Sequence, residues 1–224
     1  MVGCRNAVWN DGTAVREVIR PAEPMEVVSV DFDVAGSATF AGRARVGFQS
    51  PKDWSRVLVS AQPAVNGLRL RNDRGESTKV AVELTAPEGG ALEPFASANA
   101  AWPALIADGL RAASDATVYG WKVSGLEPGA SYTLYLYGVD KAVFSVGDDE
   151  TAYSISESCF FNVLSGPSGL NSRDHVTVTA TADAEGAISG TFSATAEGAG
   201  AFCGLQIEGA SFARAPGGMV LVVR

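Results

Sequence analysis

The sequence offers few side chains for acid–base or nucleophilic chemistry. His175 is the only histidine, and it stands at the start of an alternating pattern, on the face that it shares with threonines. A Ser-His-Asp or Cys-His site would have to use this residue, but a solvated strand position is the simpler interpretation. The sequence contains no Gly-x-Ser-x-Gly elbow and no glycine-rich phosphate loop. These observations favour a protein that is not an enzyme.

Carboxylates keep one enzymatic alternative open. A glycoside hydrolase needs two carboxyl groups about 5–10 Å apart across a cleft. The acids of suitable type are Asp31, Asp33, Glu83, Asp108 and Glu208. Residue type does not fix spacing, so this activity stays open at the level of sequence.

Consecutive acidic residues provide the candidate metal ligands. Asp148, Asp149 and Glu150 follow one another after a short strand pattern. Carboxylate oxygens are the ligands that calcium prefers, so these residues are candidates for a structural calcium ion. A solvated acidic turn is the simpler interpretation of the same residues. No other cofactor is expected.

The three cysteines, Cys4, Cys159 and Cys203, leave alternatives open. They form no Cys-x-x-Cys pair, which argues against a thiolate zinc site. Cys159 and Cys203 lie in strand-like segments and are candidates for a disulfide if the protein is exported, whereas buried thiols fit equally well. Cys4 would then be left over for a bridge between subunits.

Glycan recognition needs flat apolar faces with polar groups beside them. Trp54 lies in a polar stretch and is the best candidate for an exposed aromatic side chain. Tyr135 and Tyr137 share one face of a strand pattern, and Arg69 and Arg71 flank a loop. The alternative for the aromatic residues is a place in the core, with Trp54 as its cap and both tyrosines under a short helix.

Composition excludes several classes of partner. The 224 residues include 25 glycines, only 19% are charged, and the net charge is −8. The acidic balance opposes nucleic-acid binding, and no apolar run reaches the ~18–20 residues of a membrane-spanning helix. The first residues lack the apolar stretch of a secretion signal, so either a signal has been removed or the chain is cytoplasmic.

Alternating apolar and polar residues predict the strands that must position these side chains. Residues 27–33 predict a half-buried strand with Asp31 and Asp33 on its outward polar face. Residues 68–84 predict a hairpin around a turn at 72–75. In residues 188–194 the apolar side chains are expected to face inwards and the hydroxyl side chains outwards.

Only one segment has helical spacing. The apolar residues within 102–110 predict a helix of two or three turns. About ten strands are expected besides this helix, joined by turns rather than by crossover helices. The pattern therefore predicts an all-β, antiparallel β-sandwich.

The strand pattern begins after an N-terminal arm. Residues 1–24 are predicted to form this arm, and residues 25–224 a single sandwich domain. The arm carries Val15, Val18 and Ile19, which would allow it to add a strand to the sheet edge of a neighbouring subunit. An arm that folds back on its own sheet explains the same residues.

Several strand-and-turn stretches carry a family resemblance. They are Val28–Phe32, Asp53-Trp54, Arg71–Gly75, Ala104–Asp108, Val123–Gly129, Tyr132–Gly138 and Gly204–Ile207. They resemble jelly-roll-like β-sandwich domains of exported planctomycete and verrucomicrobial proteins of the PEP-CTERM type. The resemblance covers roughly residues 27–209 and implies export, a galactose-binding-like fold and no catalytic residues. This sequence carries no sorting tag of that type.

Two functions are predicted. The first is a non-catalytic, secreted or cell-surface module that binds carbohydrate or acts in adhesion, and the resemblance favours it. The second is a self-assembling structural subunit of a surface layer or filament. In that case head-to-tail donation of the arm would build the assembly.

Overall fold

The computed structural model describes residues 25–40, 54–98, 104–147, 151–155 and 175–215. These residues contain thirteen strands and one short helix, which confirms the predicted all-β sandwich. The strands are β1 (Glu26–Asp33), β2 (Trp54–Leu58), β3 (Ala64–Gly67), β4 (Ala81–Thr85), β5 (Pro94–Ala96), β6 (Asp108–Ala112), β7 (Tyr119–Ser124), β8 (Ser131–Asp140), β9 (Ala142–Val146), β10 (Tyr153–Ser154), β11 (His175–Thr181), β12 (Ile188–Ala194) and β13 (Gly200–Gly209), and the helix is α1 (Ala104–Ala107). Strands of two or three residues, such as β10 and β5, are too short for alternation to reveal them.

The strands form two sheets. The first has the order β11-β8-β13-β1-β2, with β6 also paired to β13 and β5 paired to β6. The second has the order β10-β9-β12-β7-β4-β3. The pairings are antiparallel except between β1 and β2, which run parallel from Ser29 opposite Trp54 to Asp33 opposite Leu58. No helix in the described residues is long and apolar enough to cross a membrane.

Apolar side chains from both sheets meet in one core. Phe202 of the first sheet lies at its centre, with ring centroids 4.9 Å from Phe32, 4.9 Å from Phe144 and 5.6 Å from Phe192. Edge-to-face aromatic pairs, such as those that Phe202 forms with Phe32 and Phe144, contribute about 0.5–1.5 kcal/mol each beyond the burial of their area. The phenylalanine cluster therefore stabilises the contact between the two sheets.

The outer face of the first sheet is also covered. Leu105 and Ile106 of α1 pack there with Phe40, Trp54 and two tyrosines of β8, Tyr135 and Tyr137, and both helix residues are buried. All eight residues of β1 are buried as a result. The predicted half-buried strand with an outward polar face is therefore wrong, because a second apolar layer lies over the polar side chains.

The predicted helix over 102–110 is shorter than expected. Its described part covers Ala104–Ala107, and Asp108 already begins β6. Gly109 has a φ of 144°, which takes the chain out of the helical region. Leu105 and Leu110 lie in different apolar layers, one outside the first sheet and one between the sheets. The helical spacing thus came from a one-turn helix followed by a strand.

The predicted hairpin is confirmed only in part. Strands β3 and β4 pair antiparallel, and the turn at Asn72–Gly75 closes with a 2.9 Å hydrogen bond from the amide of Gly75 to the carbonyl of Asn72. Between β3 and this turn the chain leaves the ladder. Leu68 is 73% exposed there, and Arg69 has a φ of 54°.

A buried ion pair fixes the start of β1. Glu26 is 6% exposed, and its two carboxylate oxygens accept hydrogen bonds of 2.8 and 2.9 Å from the guanidinium of Arg214. The amide of Phe212 also donates to Glu26, at 3.3 Å. The hydrogen bonds from Arg214 are the main reason why the pKa of Glu26 lies below its usual value.

We expect Glu26→Gln to lower the free energy of unfolding by about 2 kcal/mol at neutral pH, because it removes a charge-assisted pair from a buried position. A depressed acid pKa stabilises the fold above the unfolded value of 4.5, and this contribution is lost as the pH falls through the folded value. The difference in the free energy of unfolding between wild type and variant should therefore shrink below pH 4.5. Urea unfolding at several pH values measures it.

Glu93→Gln is the matched control for this prediction. Glu93 pairs with Arg111 at 2.7 Å, but both side chains are more than 40% exposed. Exposed pairs contribute about 0–1 kcal/mol. If Glu26→Gln and Glu93→Gln lower the free energy of unfolding equally, the stabilising role given to Glu26 is contradicted.

Candidate functional site

A break in the first sheet brings distant acidic residues together. Strand β13 pairs with β1 over Gly204–Gly209 and with β6 over Gly200–Phe202. The end of β1 therefore meets the beginning of β6 along one edge of β13. Asp31 and Asp33 come from the first of these strands and Asp108 from the second.

A β-bulge marks this break. Phe202 pairs with Gly138 and Gly204 pairs with Tyr137, so Cys203 is the extra residue of β13. The bulge resets the alternation of side chains along the strand. Phe202 lies in the core between the sheets, whereas Cys203 lies in the outer apolar layer.

The three carboxyl groups form a buried cluster. Asp31 and Asp33 are 0% exposed and Asp108 is 2% exposed. One carboxylate oxygen of each lies within 4.8 Å of those of the other two. We call Asp31, Asp33 and Asp108 the acidic cluster.

Hydrogen bonds satisfy only part of this cluster. Asp33 pairs with the guanidinium of Arg56 and accepts a 2.9 Å bond from the hydroxyl of Thr39. The amide of Phe40 donates to Oδ2 of Asp31, and the amide of Val34 donates to Oδ2 of Asp108 at 3.4 Å. Within the described residues, Oδ1 of Asp31 and Oδ1 of Asp108 are buried without a hydrogen-bond partner.

Burial and like charges shift the acid–base equilibria of the cluster. Burial, followed by the charge of Asp33, raises the pKa of Asp31 to about 8. Burial also raises the pKa of Asp108 above its usual range. Desolvation disfavours a charged carboxylate, and neighbouring negative charges add to that effect. The cluster is therefore unfavourable when every member is ionised without a compensating positive charge.

The predicted aromatic platform does not form. Trp54 is 4% exposed, and its ring lies edge-on to that of Phe40 at 5.0 Å. Tyr135 and Tyr137 are also buried, in the same outer layer as α1. The prediction of an exposed Trp54 is wrong, and the alternative that placed the tyrosines with the short helix agrees with the structure.

Both tyrosine hydroxyl groups are used inside the protein. The hydroxyl of Tyr137 donates to Gln206 at 2.6 Å, and the amide of Gln206 donates to the hydroxyl of Ser29 at 2.9 Å. The hydroxyl of Tyr135 donates to Glu208 at 2.9 Å. These side chains act as polar connections between strands and are not presented to a ligand.

A groove lies where β2 approaches the segment after β3. Trp54, Arg69 and Arg71, three of the five predicted ligand-binding residues, line it together with Arg56 and Leu68. Its volume is about 510 Å³. The three arginines are exposed at its surface, while Trp54 is part of its floor. We call this the arginine groove.

Several predicted site residues lie outside the described residues. They are the calcium candidates Asp148, Asp149 and Glu150, the cysteines Cys4 and Cys159, and the arm residues Val15, Val18 and Ile19. Cys203, the proposed partner of Cys159, is buried in the outer layer. The calcium site, the disulfide and the arm-mediated assembly therefore remain predictions.

Sequence reasoning named all three members of the acidic cluster and part of the lining of the arginine groove, but not their grouping. Asp31, Asp33 and Asp108 were available acids, yet nothing in their spacing showed that they meet. Arg56 was missed, although it stands two residues after Trp54 and contacts both the acidic cluster and the groove. The usable signal was a pair of acids, Asp31 and Asp33, that alternate with apolar residues on one strand.

The fold and its sites define a β-sandwich with a buried acidic cluster beside an arginine-lined groove. No protein-family model matches the chain, and no curated protein matches it at a significant level.

Proposed function

We propose that the protein is a non-catalytic β-sandwich module of a secreted or cell-surface protein, and that it binds an acidic polysaccharide in the arginine groove. The observation that carries the proposal is the grouping of Arg69 and Arg71 around one groove, beside the ion-paired Arg56, in a chain of net charge −8. The resemblance to exported jelly-roll-like domains supports the same class of function.

Charge, rather than aromatic stacking, would select the ligand. Guanidinium groups bind carboxylates through paired, charge-assisted hydrogen bonds, so uronate sugars suit the groove. Leu68 is 73% exposed beside the arginines and offers an apolar contact for the C–H face of a sugar ring. Trp54 supports the groove from below.

The backbone at Arg69 supports a role for its side chain. Its φ of 54° lies in the left-handed region, where a residue with a Cβ costs about 1–2 kcal/mol and glycine or asparagine fits better. Strained residues of this kind cluster at functional sites. An arginine here is therefore better explained by a role of its side chain in the groove than by the turn that it makes.

The burial of the acidic cluster supports a non-catalytic role. A glycosidase places its two carboxyl groups on either side of a sugar in an open cleft. Asp31, Asp33 and Asp108 are at most 2% exposed, so they do not flank an open cleft of this kind. Of the other two acids considered, Glu208 is engaged by Tyr135 and Glu83 lies on β4 of the second sheet.

Binding of polygalacturonate, with uncharged dextran as the comparison, tests the proposal. We expect wild-type protein to bind polygalacturonate and not dextran in affinity electrophoresis. The double variant Arg69→Asn, Arg71→Gln should lose about 30–150-fold in affinity, since each lost ionic contact is worth roughly 1–1.5 kcal/mol. Asparagine suits the backbone of position 69, so the fold should be retained.

Arg111→Gln is the matched control. It removes the same charge from an exposed arginine that pairs with Glu93 and does not line the groove, so affinity should stay unchanged. Equal binding of dextran, or an equal loss in the control and the double variant, would contradict the proposal.

A further inference from the structure

With all of its members ionised, the acidic cluster carries more negative charge than its surroundings balance. It contains three carboxylates, and Arg56 is the only basic group in the described residues that forms an ion pair with it. Three negative charges and one positive charge leave a deficit of two when all groups are ionised. Buried charges occur where they are paired or coordinate a metal. The deficit equals the charge of one divalent cation.

Two carboxylate oxygens of the cluster lack any partner that would justify their burial. Oδ1 of Asp31 and Oδ1 of Asp108 are buried and accept no hydrogen bond within the described residues. Buried polar atoms in proteins are almost always satisfied, and an orphaned one calls for an explanation such as an ion. The two orphaned atoms belong to different strands, so a single ligand between them would satisfy both.

The ligand types and their spacing identify the class of ion. Each member of the cluster offers an oxygen, and neither histidine nor cysteine belongs to it, which favours calcium or magnesium over zinc. Calcium binds oxygens at 2.3–2.6 Å, so ligands on opposite sides of it lie about 5 Å apart. Three oxygens within 4.8 Å of one another therefore fall within the spacing that ligands of one calcium ion have.

We propose that Asp31, Asp33 and Asp108 bind one divalent cation, with calcium preferred, at the junction of β1 and β6. The cation would join two strands that share an edge of β13 but do not form a ladder with each other. Arg56 completes the charge balance through its ion pair with Asp33. This proposal goes beyond the arginine groove and does not depend on its ligand.

The test is a calcium titration of the full chain after treatment with EDTA and desalting. We expect calorimetry to show one calcium site of this kind, with weaker binding of magnesium. At a hundredfold excess over Kd, the melting temperature should rise by about 5–10 °C. Asp31→Asn and Asp108→Asn should each weaken calcium binding by about 100-fold, because ligand charge sets affinity.

Two further measurements keep this test decisive. Asp115→Asn is the matched control, since Asp115 is exposed and lies outside the cluster, and it should bind calcium like the wild type. In EDTA, at a pH where the carboxyl of Asp31 is ionised, Asp31→Asn should melt at or above the temperature of the wild type, because it then removes an uncompensated charge. A variant that is unfolded in EDTA would therefore contradict the charge argument.

Three outcomes would overturn the proposal. One is the absence of calcium and magnesium binding by the chelated wild type, which would mean that a shared proton balances the cluster instead. Another is binding that survives both Asp31→Asn and Asp108→Asn. The third is binding that is lost only when Asp148 and Asp149 are replaced by asparagine, which would place the site in the acidic stretch that the sequence predicts.

Discussion

Gly109→Ala is expected to lower the free energy of unfolding by about 4 kcal/mol. A Cβ at this position would lie 2.2 Å from the carbonyl oxygen of Phe202 and 2.9 Å from Cα of Cys203. Both are backbone atoms of the β13 bulge, so they cannot move aside as a flexible side chain would. The φ of 144° adds strain of about 1–3 kcal/mol for a residue with a side chain, and overpacking adds a similar amount. Denaturant unfolding followed by tryptophan fluorescence measures the loss.

Gly75→Ala separates the two causes of this loss. Gly75 also has a positive φ, of 75°, but a Cβ there meets nothing within 4 Å. We expect it to cost about 1–2 kcal/mol from backbone strain alone. If Gly109→Ala costs no more than Gly75→Ala, the close approach of β6 to the bulge is not a constraint on the fold.

The substitution at Gly109 has a second consequence for the acidic cluster. Asp108 immediately precedes it and is placed by the same contact between β6 and β13. Pushing β6 away from the bulge would also separate Asp108 from Asp31. Gly109→Ala should therefore weaken calcium binding in any fraction that stays folded, although it changes no carboxylate.

Phe202→Ala is expected to lower the free energy of unfolding by about 3–5 kcal/mol, the range for removing a large buried aromatic side chain. Phe202 is fully buried, and its ring contacts Phe32 in its own sheet and both Phe144 and Phe192 in the other. The adjacent backbone is held by the bulge, so the cavity should collapse only partly. Thermal and urea unfolding at neutral pH give the value.

Leu58→Ala provides the control for the core substitution. Leu58 lies on β2 and is 49% exposed, so its truncation should cost less than about 1 kcal/mol. A loss below about 1.5 kcal/mol for Phe202→Ala would be inconsistent with a single rigid core between the two sheets.

The predictions for Gly109 and Phe202 both depend on the bulge at Cys203, which the alternation pattern alone does not reveal. Along β13, simple alternation would place Phe202 and Leu205 on opposite faces. Both lie in the core between the sheets, because Cys203 is inserted between the two registers. The bulge is defined by the pairing of β13 with β8, and a pairing between distant strands leaves no local mark on the sequence.

Strands with one covered face were predictable from sequence. In β12, Ile188 and Phe192 are buried, and Ser189 between them is exposed, as the alternation predicts. The turns were predictable for a similar reason, since glycine, asparagine and aspartate at 72–75 suit the backbone that a turn requires. These signals are local, and together they determined the all-β class and the sandwich.

The coverage of the outer face was decided only by the tertiary structure. Alternation showed that Asp31 lies on the face opposite Val30, but it could not show what lies over that face. Phe40 and α1 cover it from other parts of the chain, and α1 leads directly into the strand that begins with Asp108. The burial of Trp54, Tyr135 and Tyr137 follows from the same layer.

The sequence by itself therefore determined which residues alternate, where the chain turns and that strands would dominate. Which polar residues became buried, and which of them met, was decided by contacts between residues far apart in the chain, such as the hydrogen bond from Gln206 to Ser29. The physical reason is that backbone geometry and side-chain period are local properties. The environment of a carboxylate depends instead on every element packed around it, and the acidic cluster exists because β1 and β6 share one edge of β13.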